Sequence, residues 1–346
     1  MEECRLEIYV DDPFAIARGT PQRRRIIFGK LTAAWLVMGL PLAFRKAVRG
    51  MDVPWIGVQF IIQSGQVVAT IPAEKLSEVR GMTQDLAKGN VIPKKILRTF
   101  AGKMQSVASL LFALRPYVAV LWAALCSPDG PALNCIWTSQ VQRSLQWFWA
   151  CFAMHGDGPI FRAFSLLAHL NSGARMFITT DASPFGIGGF VTVSGISLGF
   201  FYDALTEMDE YMLEAPRGDA AGQQCFEGLA ALVTLRLWAK LWMNRRCLLE
   251  FRSDNMAALV MVRQLKGSSN GLRLLAQELS LDFAFSSFEP DAIVHTPGVQ
   301  NVLADILSRK HDPAKAGSWQ LPPLLQSATW CSPPRRDWPW WRSVVG

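Results

Sequence analysis

Between residues 175 and 308 the spacing of apolar residues changes period repeatedly, and the order of those changes restricts the fold more than any other feature of the chain. Residues 175–180, 189–194 and 196–202 read as three short strands. Residues 223–242 set Phe226, Leu229, Val233 and Leu237 on one stripe of an amphipathic helix. A strand over 247–253, helices over 255–264 and 271–281, a strand over 292–295 and a helix over 301–308 complete the series. Three strands, a helix, a strand, two helices, a strand and a helix predict an α/β domain, a mixed five-stranded sheet with helices packed on it.

Four acids stand at informative places in this series. Asp181 follows the first strand in Thr179-Thr180-Asp181-Ala182-Ser183, and Asp254 ends the fourth in Ser253-Asp254-Asn255. Strand ends are where an open sheet collects its site. Glu227 lies in the first turns of the long helix, beside its apolar stripe, and so leans toward the sheet. Asp305 sits on the last helix, one turn beyond Asn301. Two-metal hydrolysis of a phosphodiester needs such a set, because two hard divalent cations about 4 Å apart must be neutralised and held by oxygen ligands.

These residues also carry a resemblance. Thr180-Asp181-Ala182-Ser183, the Glu227 helix, Ser253-Asp254-Asn255 and the string H-x-P-G-x-x-N-x-x-A-D-x-L-S-R from His295 to Arg309 resemble the ribonuclease H domain of retrotransposon polyproteins. The long last string is specific, whereas either short motif alone is weak. The resemblance implies that Asp181, Glu227, Asp254 and Asp305 bind two Mg²⁺ or Mn²⁺ ions and activate a water that cleaves RNA in an RNA/DNA hybrid. It implies further that His295, in the loop ten residues before Asp305, assists metal and product turnover.

Residues 5–16 read as a hairpin around Asp11-Asp12-Pro13. Within it Tyr9-Val10-Asp11-Asp12 resembles the Y-x-D-D turn of reverse transcriptases, where adjacent acids bind the metals of nucleotide addition. Gly39-Leu40-Pro41-Leu42 with Lys46, then Trp55-Ile56-Gly57, then residues 97–103 resemble the segments that follow that turn. The implied order is a partial palm over 1–72, a helical thumb and connection over 73–155, a ribonuclease H-like domain over 171–312 and a Pro/Trp-rich tail over 313–346. Only eight residues precede Tyr9, too few for the other aspartate strand and the fingers of a polymerase. The expectation is therefore a polymerase part that is inactive unless a longer product or a partner completes it.

Lysine and arginine number 35 against 28 acids, a formal charge of +7 that favours polyanionic partners. From residue 13 to 51 there is no acid but eight basic residues, among them Arg23, Arg24 and Arg25. These three, with Asn255 beside Asp254, are the expected nucleic-acid contacts. The seven cysteines are scattered and form no C-x-x-C pair, which fits a reducing, intracellular compartment, cytoplasmic or nuclear. No apolar run reads as a clean membrane span. The tail, rich in proline and tryptophan, is expected to be irregular and to serve as a docking segment. Two other readings remain open: a nucleic-acid-binding relic of a retrotransposon without turnover, and an integrase-type strand-transfer enzyme, against which Asp305 within A-D-x-L-S-R speaks.

Overall fold

The computed structural model describes residues 4–9, 12–63, 65–111, 114–154, 160–165, 173–243, 247–286 and 290–342. The first elements are β1 (Cys4–Tyr9), β2 (Asp12–Ala17), α1 (Pro21–Val37), β3 (Asp52–Trp55), β4 (Val58–Gln63) and β5 (Gln66–Thr70). A mainly helical stretch follows: α2 (Ala73–Lys88), β6 (Val91–Pro93), α3 (Lys94–Leu110), α4 (Arg115–Cys126), β7 (Cys135–Trp137) and α5 (Gln142–Met154). Next come β8 (Phe161–Ser165), β9 (Arg175–Ser183), β10 (Gly186–Val193), β11 (Ile196–Ala204), α6 (Glu207–Leu213), α7 (Gln223–Leu237) and α8 (Ala239–Trp242). The last are β12 (Leu248–Ser253), α9 (Met256–Gln264), α10 (Asn270–Phe285), β13 (Ala292–His295), α11 (Val302–Ser308) and β14 (Thr329–Trp330). No helix among the described residues is long and apolar enough to cross a membrane. No disulfide links the cysteines among the described residues.

The chain divides into two compact units, Met1–Glu78 with His155–Ser165, and Val79–Met154 with Leu166–Gly346. In the first, β1 and β2 pair antiparallel with Tyr9 opposite Asp12, while Val10 and Asp11 lie outside the described residues. The order β3-β4-β5-β8 makes a second, antiparallel sheet, and Phe14 stacks on Trp55 with ring centroids 5.1 Å apart. β8 was not expected, because its partner β5 lies some ninety residues earlier and no local period marks the pairing.

In the second unit the stretch expected to be helical also holds a short β6-β7 ladder, again a pairing between distant residues. Leu97, Phe100, Met104 and Val107 of α3 are fully buried, and Phe148 of α5 meets Phe100 edge-on at 5.9 Å. The main sheet has six strands in the order β13-β12-β9-β10-β11-β14, not five. The sixth, β14, is a two-residue strand from the tail, too short to show a period, that pairs parallel to β11. β9, β10 and β11 are antiparallel, while β12 runs parallel to both β9 and β13.

The expected long amphipathic helix departs from its reading in two ways. It breaks at Trp238, whose ring packs edge-on against Phe201 of the sheet at 6.0 Å. Moreover, every residue from Cys225 to Leu235 is buried, so α7 is closed off all round rather than along one stripe. The sheet covers one side and α9 and α10 the other, where a Cβ on Gly228 would come within 2.8 Å of a Leu272 methyl. Helix α6, also unexpected, begins with a capping box: Thr206 accepts from the Asp209 backbone N–H and Asp209 accepts from that of Thr206.

The tail is irregular, as expected, but it is bound into the second unit. Arg336 is completely buried and grips both oxygens of the equally buried Asp209, at 3.0 and 2.9 Å, while also pairing with Asp203 at the edge of β11. Trp341 is fully buried in the main core, and Arg236 of α7 donates to the Trp340 carbonyl at 3.1 Å. Removing one partner of a buried pair strands the other charge, at a cost of about 3–5 kcal/mol. Arg336→Ala is expected to lose about that much in urea unfolding, and Asp203→Ala, on the half-exposed side of the arginine, less than about 1 kcal/mol.

Candidate metal centre

Asp181 lies within β9 rather than after it, opposite Gly188 of β10. Ser308 Oγ donates to its Oδ2 at 2.6 Å, and Asn301 Nδ2 reaches its Oδ1 at 3.5 Å while donating to the Thr180 carbonyl at 3.1 Å. Both contacts require α11 to lie almost on the sheet. Gly188 allows this, since a Cβ there would meet the Leu307 Cβ and the Ser308 nitrogen, both at 2.6 Å.

Glu227 projects from the second turn of α7 and is buried. Gln223, one turn earlier, donates from Nε2 to the Ala182 carbonyl at 2.6 Å and to Glu227 Oε1 at 3.0 Å, tying helix and strand together. Glu227 Oε2 is buried and has no hydrogen-bond partner among the described residues. Asp254 stands immediately after β12 and its buried Oδ1 is likewise without a partner. Gly298 closes over this carboxylate, a Cβ there being only 3.1 Å from Asp254 Oδ2.

Each of Asp181, Glu227 and Asp254 offers one carboxylate oxygen lying within 4.8 Å of the other two. Asp305 does not join that group. Its Oδ1 accepts from Arg309 Nε at 2.7 Å on the half-exposed side of α11, yet its charge still acts on Asp181. His295 is the last residue of β13 rather than part of a loop, and its Nε2 donates to the Asp254 carbonyl at 3.1 Å. Asn255 uses its side-chain oxygen to cap α9, accepting from the Ala257 and Ala258 N–H groups at 2.9 and 3.1 Å. In the first unit Tyr9 ends β1, Asp12 opens β2, Arg23, Arg24 and Arg25 occupy the first turns of α1, and Lys46 is exposed after it; Asp11 is outside the described residues.

The string from His295 to Arg309 thus contains three residues whose roles its spacing only hinted at. Asn301 and Ser308, seven residues apart at the two ends of α11, both reach Asp181, while Asp305 between them pairs with Arg309. Gln223 was detectable in the same way, one helical turn before Glu227.

Burial makes the three-acid arrangement costly. It pushes Asp181 up to about 7, aided by the negative charges of Asp254 and Asp305 and opposed by the Ser308 hydrogen bond. Glu227 is pushed well above the usual carboxylate range, first by burial and then by Asp181 and Asp254. Converging carboxylates with two orphaned, buried oxygens are a donor set suited to hard divalent cations, which take oxygen ligands and supply the missing positive charge.

No protein-family model and no curated protein matches the chain. Among solved structures, the foamy viral protease-reverse transcriptase dRH in complex with double-stranded DNA aligns with a TM-score of 0.35 and 15% identity, covering 84% of this chain and 46% of that one. The foamy viral protease-reverse transcriptase in complex with dsDNA gives 0.34 and 15%, over 72% of this chain and 46% of that one. This chain therefore covers less than half the length of either, and likeness at that level carries no argument about the site.

The folded value of Asp181 exceeds that of an unfolded aspartate, near 3.9. Its contribution to stability is thus complete below about pH 4 and is lost as pH rises through about 7. Asp181→Asn, which removes the ionisation, is expected to melt roughly 5 °C above the wild type at pH 8 without metal, with little difference near pH 4. The same variant loses the wild type's rise in melting temperature on adding Mg²⁺. Ser308→Ala removes the donor that orients Asp181, and in a calorimetric Mn²⁺ titration is expected to weaken binding roughly 10- to 100-fold, as loss of such supporting groups commonly does.

Proposed function

We propose that the chain is a metal-dependent nuclease that hydrolyses the RNA strand of RNA/DNA hybrids within a retroelement-derived reverse transcriptase/ribonuclease H protein. The observation that carries this reading is the convergence of Asp181, Glu227 and Asp254, from β9, α7 and β12, with two buried carboxylate oxygens left over. The substrate class comes from the resemblance of the string from His295 to Arg309 to retroelement ribonuclease H domains. In support, its His295, Asn301, Ser308 and Arg309 each hydrogen-bond with one of the four acids.

In this reading Asp181, Glu227 and Asp254 hold the two Mg²⁺ or Mn²⁺ ions, with Asp305 as the fourth ligand. Bound there, such ions act as Lewis acids and lower the pKa of water. The chain's own part is positional. Ser308 and Asn301 fix the rotamer of Asp181, and Gln223 occupies one oxygen of Glu227 so that the other stays available. His295 is held over the strand end by the Asp254 carbonyl, at the edge of the site where the scissile strand would enter. In the first unit, Tyr9, Asp11, Asp12 and Lys46 are read as a polymerase remnant, and Arg23, Arg24 and Arg25 as backbone contacts to the hybrid.

One observation favours a second reading, a protein that binds nucleic acid without turnover: Asp305 is already paired with Arg309. Cleavage of an end-labelled RNA/DNA hybrid in Mg²⁺ separates the two. The nuclease reading expects hydrolysis that falls at least about 100-fold in Asp254→Asn, whereas equal rates in both proteins leave only the binding role.

A further inference from the structure

The second unit carries a cleft that the proposed hydrolysis does not use. It opens between the end of α2, the turn that follows it, the end of β7 with the turn after it, and α5, has a volume of about 860 Å³, and its lining includes Gln84, Asn90, Trp137, Gln142, Gln146 and Trp149. Both tryptophans are 45% exposed, a large area of indole left facing water. Exposed apolar surface gathered in a cleft marks a place where something binds.

The polar lining narrows what that something is. The side chains of Gln84, Asn90, Gln142 and Gln146 are exposed and engage in no side-chain hydrogen bond among the described residues. Each carboxamide offers a donor pair and an acceptor, the pattern that matches the edges of nucleobases. No acid lines the cleft, and its one cation, Lys88, makes only an exposed pair with Asp85. The stretch of chain that forms it, residues 79–154, holds eight basic side chains (Arg80, Lys88, Lys94, Lys95, Arg98, Lys103, Arg115, Arg143) against two acids, Asp85 and Asp129. Eight basic residues against two acids leave this segment with a net charge of +6, which favours a polyanion.

We propose that this cleft binds single-stranded nucleic acid. Unpaired bases stack on Trp137 and Trp149, carboxamides meet their edges, and the phosphates follow the basic helices. A duplex does not satisfy the cleft, because its bases are already stacked on one another and present no free face to an indole. The inference does not depend on the nuclease reading, since it concerns binding in the absence of metal.

The test is fluorescence anisotropy of the full chain with a labelled 15-nucleotide oligo(U) RNA, an oligo(dT) of equal length and a duplex of equal charge, all in EDTA. Expected is tighter binding of either single strand than of the duplex. Trp137→Ala and Trp149→Ala should each weaken it roughly 5- to 100-fold, the loss of one stacked base, and Trp→Phe at the same positions should restore most of it. The phenylalanine variants also answer for folding, since they keep the ring. Preference for the duplex, or affinities unchanged in both alanine variants of intact melting temperature, would overturn the proposal.

Discussion

Bringing Asp181, Glu227 and Asp254 within 4.8 Å of one another is unfavourable, because each carboxylate gives up hydration and repels the other two. The second unit is organised around holding that arrangement in place. Asp181 is embedded in a strand paired on both sides, and Glu227 stands on a helix buried all round. Asp254 sits at the end of the strand adjoining β9. A fully buried leucine or phenylalanine contributes about 1.5–3 kcal/mol. The many such residues around α7, among them Phe226, Leu229, Leu232 and Phe251, offset a repulsion that no local contact relieves. The hydrogen bonds from Ser308 and Gln223 work in the same direction but on a smaller scale.

A second set of buried charges holds the edges of this unit. Arg236 of α7 pairs with Glu278 at 2.6 Å and with Asp282 at 2.7 Å, both on α10, and Arg342 of the tail shares the same two acids. Burial raises Asp282, and the two arginines oppose that rise. Such pairs add little stability compared with apolar residues of the same volume, but they tolerate no missing member. Together with Arg336 and Asp209 they bind the tail to one register on the unit, and β14 completes the sheet edge.

The chemistry and the charge of the chain are separated within this unit. The acidic cluster draws on the sheet and its helices, whereas this unit's surplus of basic residues lies on the helical stretch 79–154. An acidic centre repels a phosphate backbone in the absence of cations. In the proposed nuclease reading, the basic residues of 79–154 on the same unit supply the long-range attraction that the acidic cluster lacks.

From its sequence alone, the chain determined most of the succession of strands and helices between residues 175 and 308 and singled out three acids, Asp181, Glu227 and Asp254, that come together there. These are local patterns: periodicity follows from which faces are buried, and motif spacing from helical and strand geometry. Only the tertiary structure decided which of the acids meet. Asp305 lies one helical turn from Ser308, yet it turns toward Arg309 while Ser308 turns toward Asp181. Tertiary structure also decided that α7 is enclosed on every side, that a two-residue tail strand extends the sheet, and that β5 finds β8. Each of these rests on contacts between residues far apart in the chain, where packing and charge burial choose among partners that local spacing leaves equivalent.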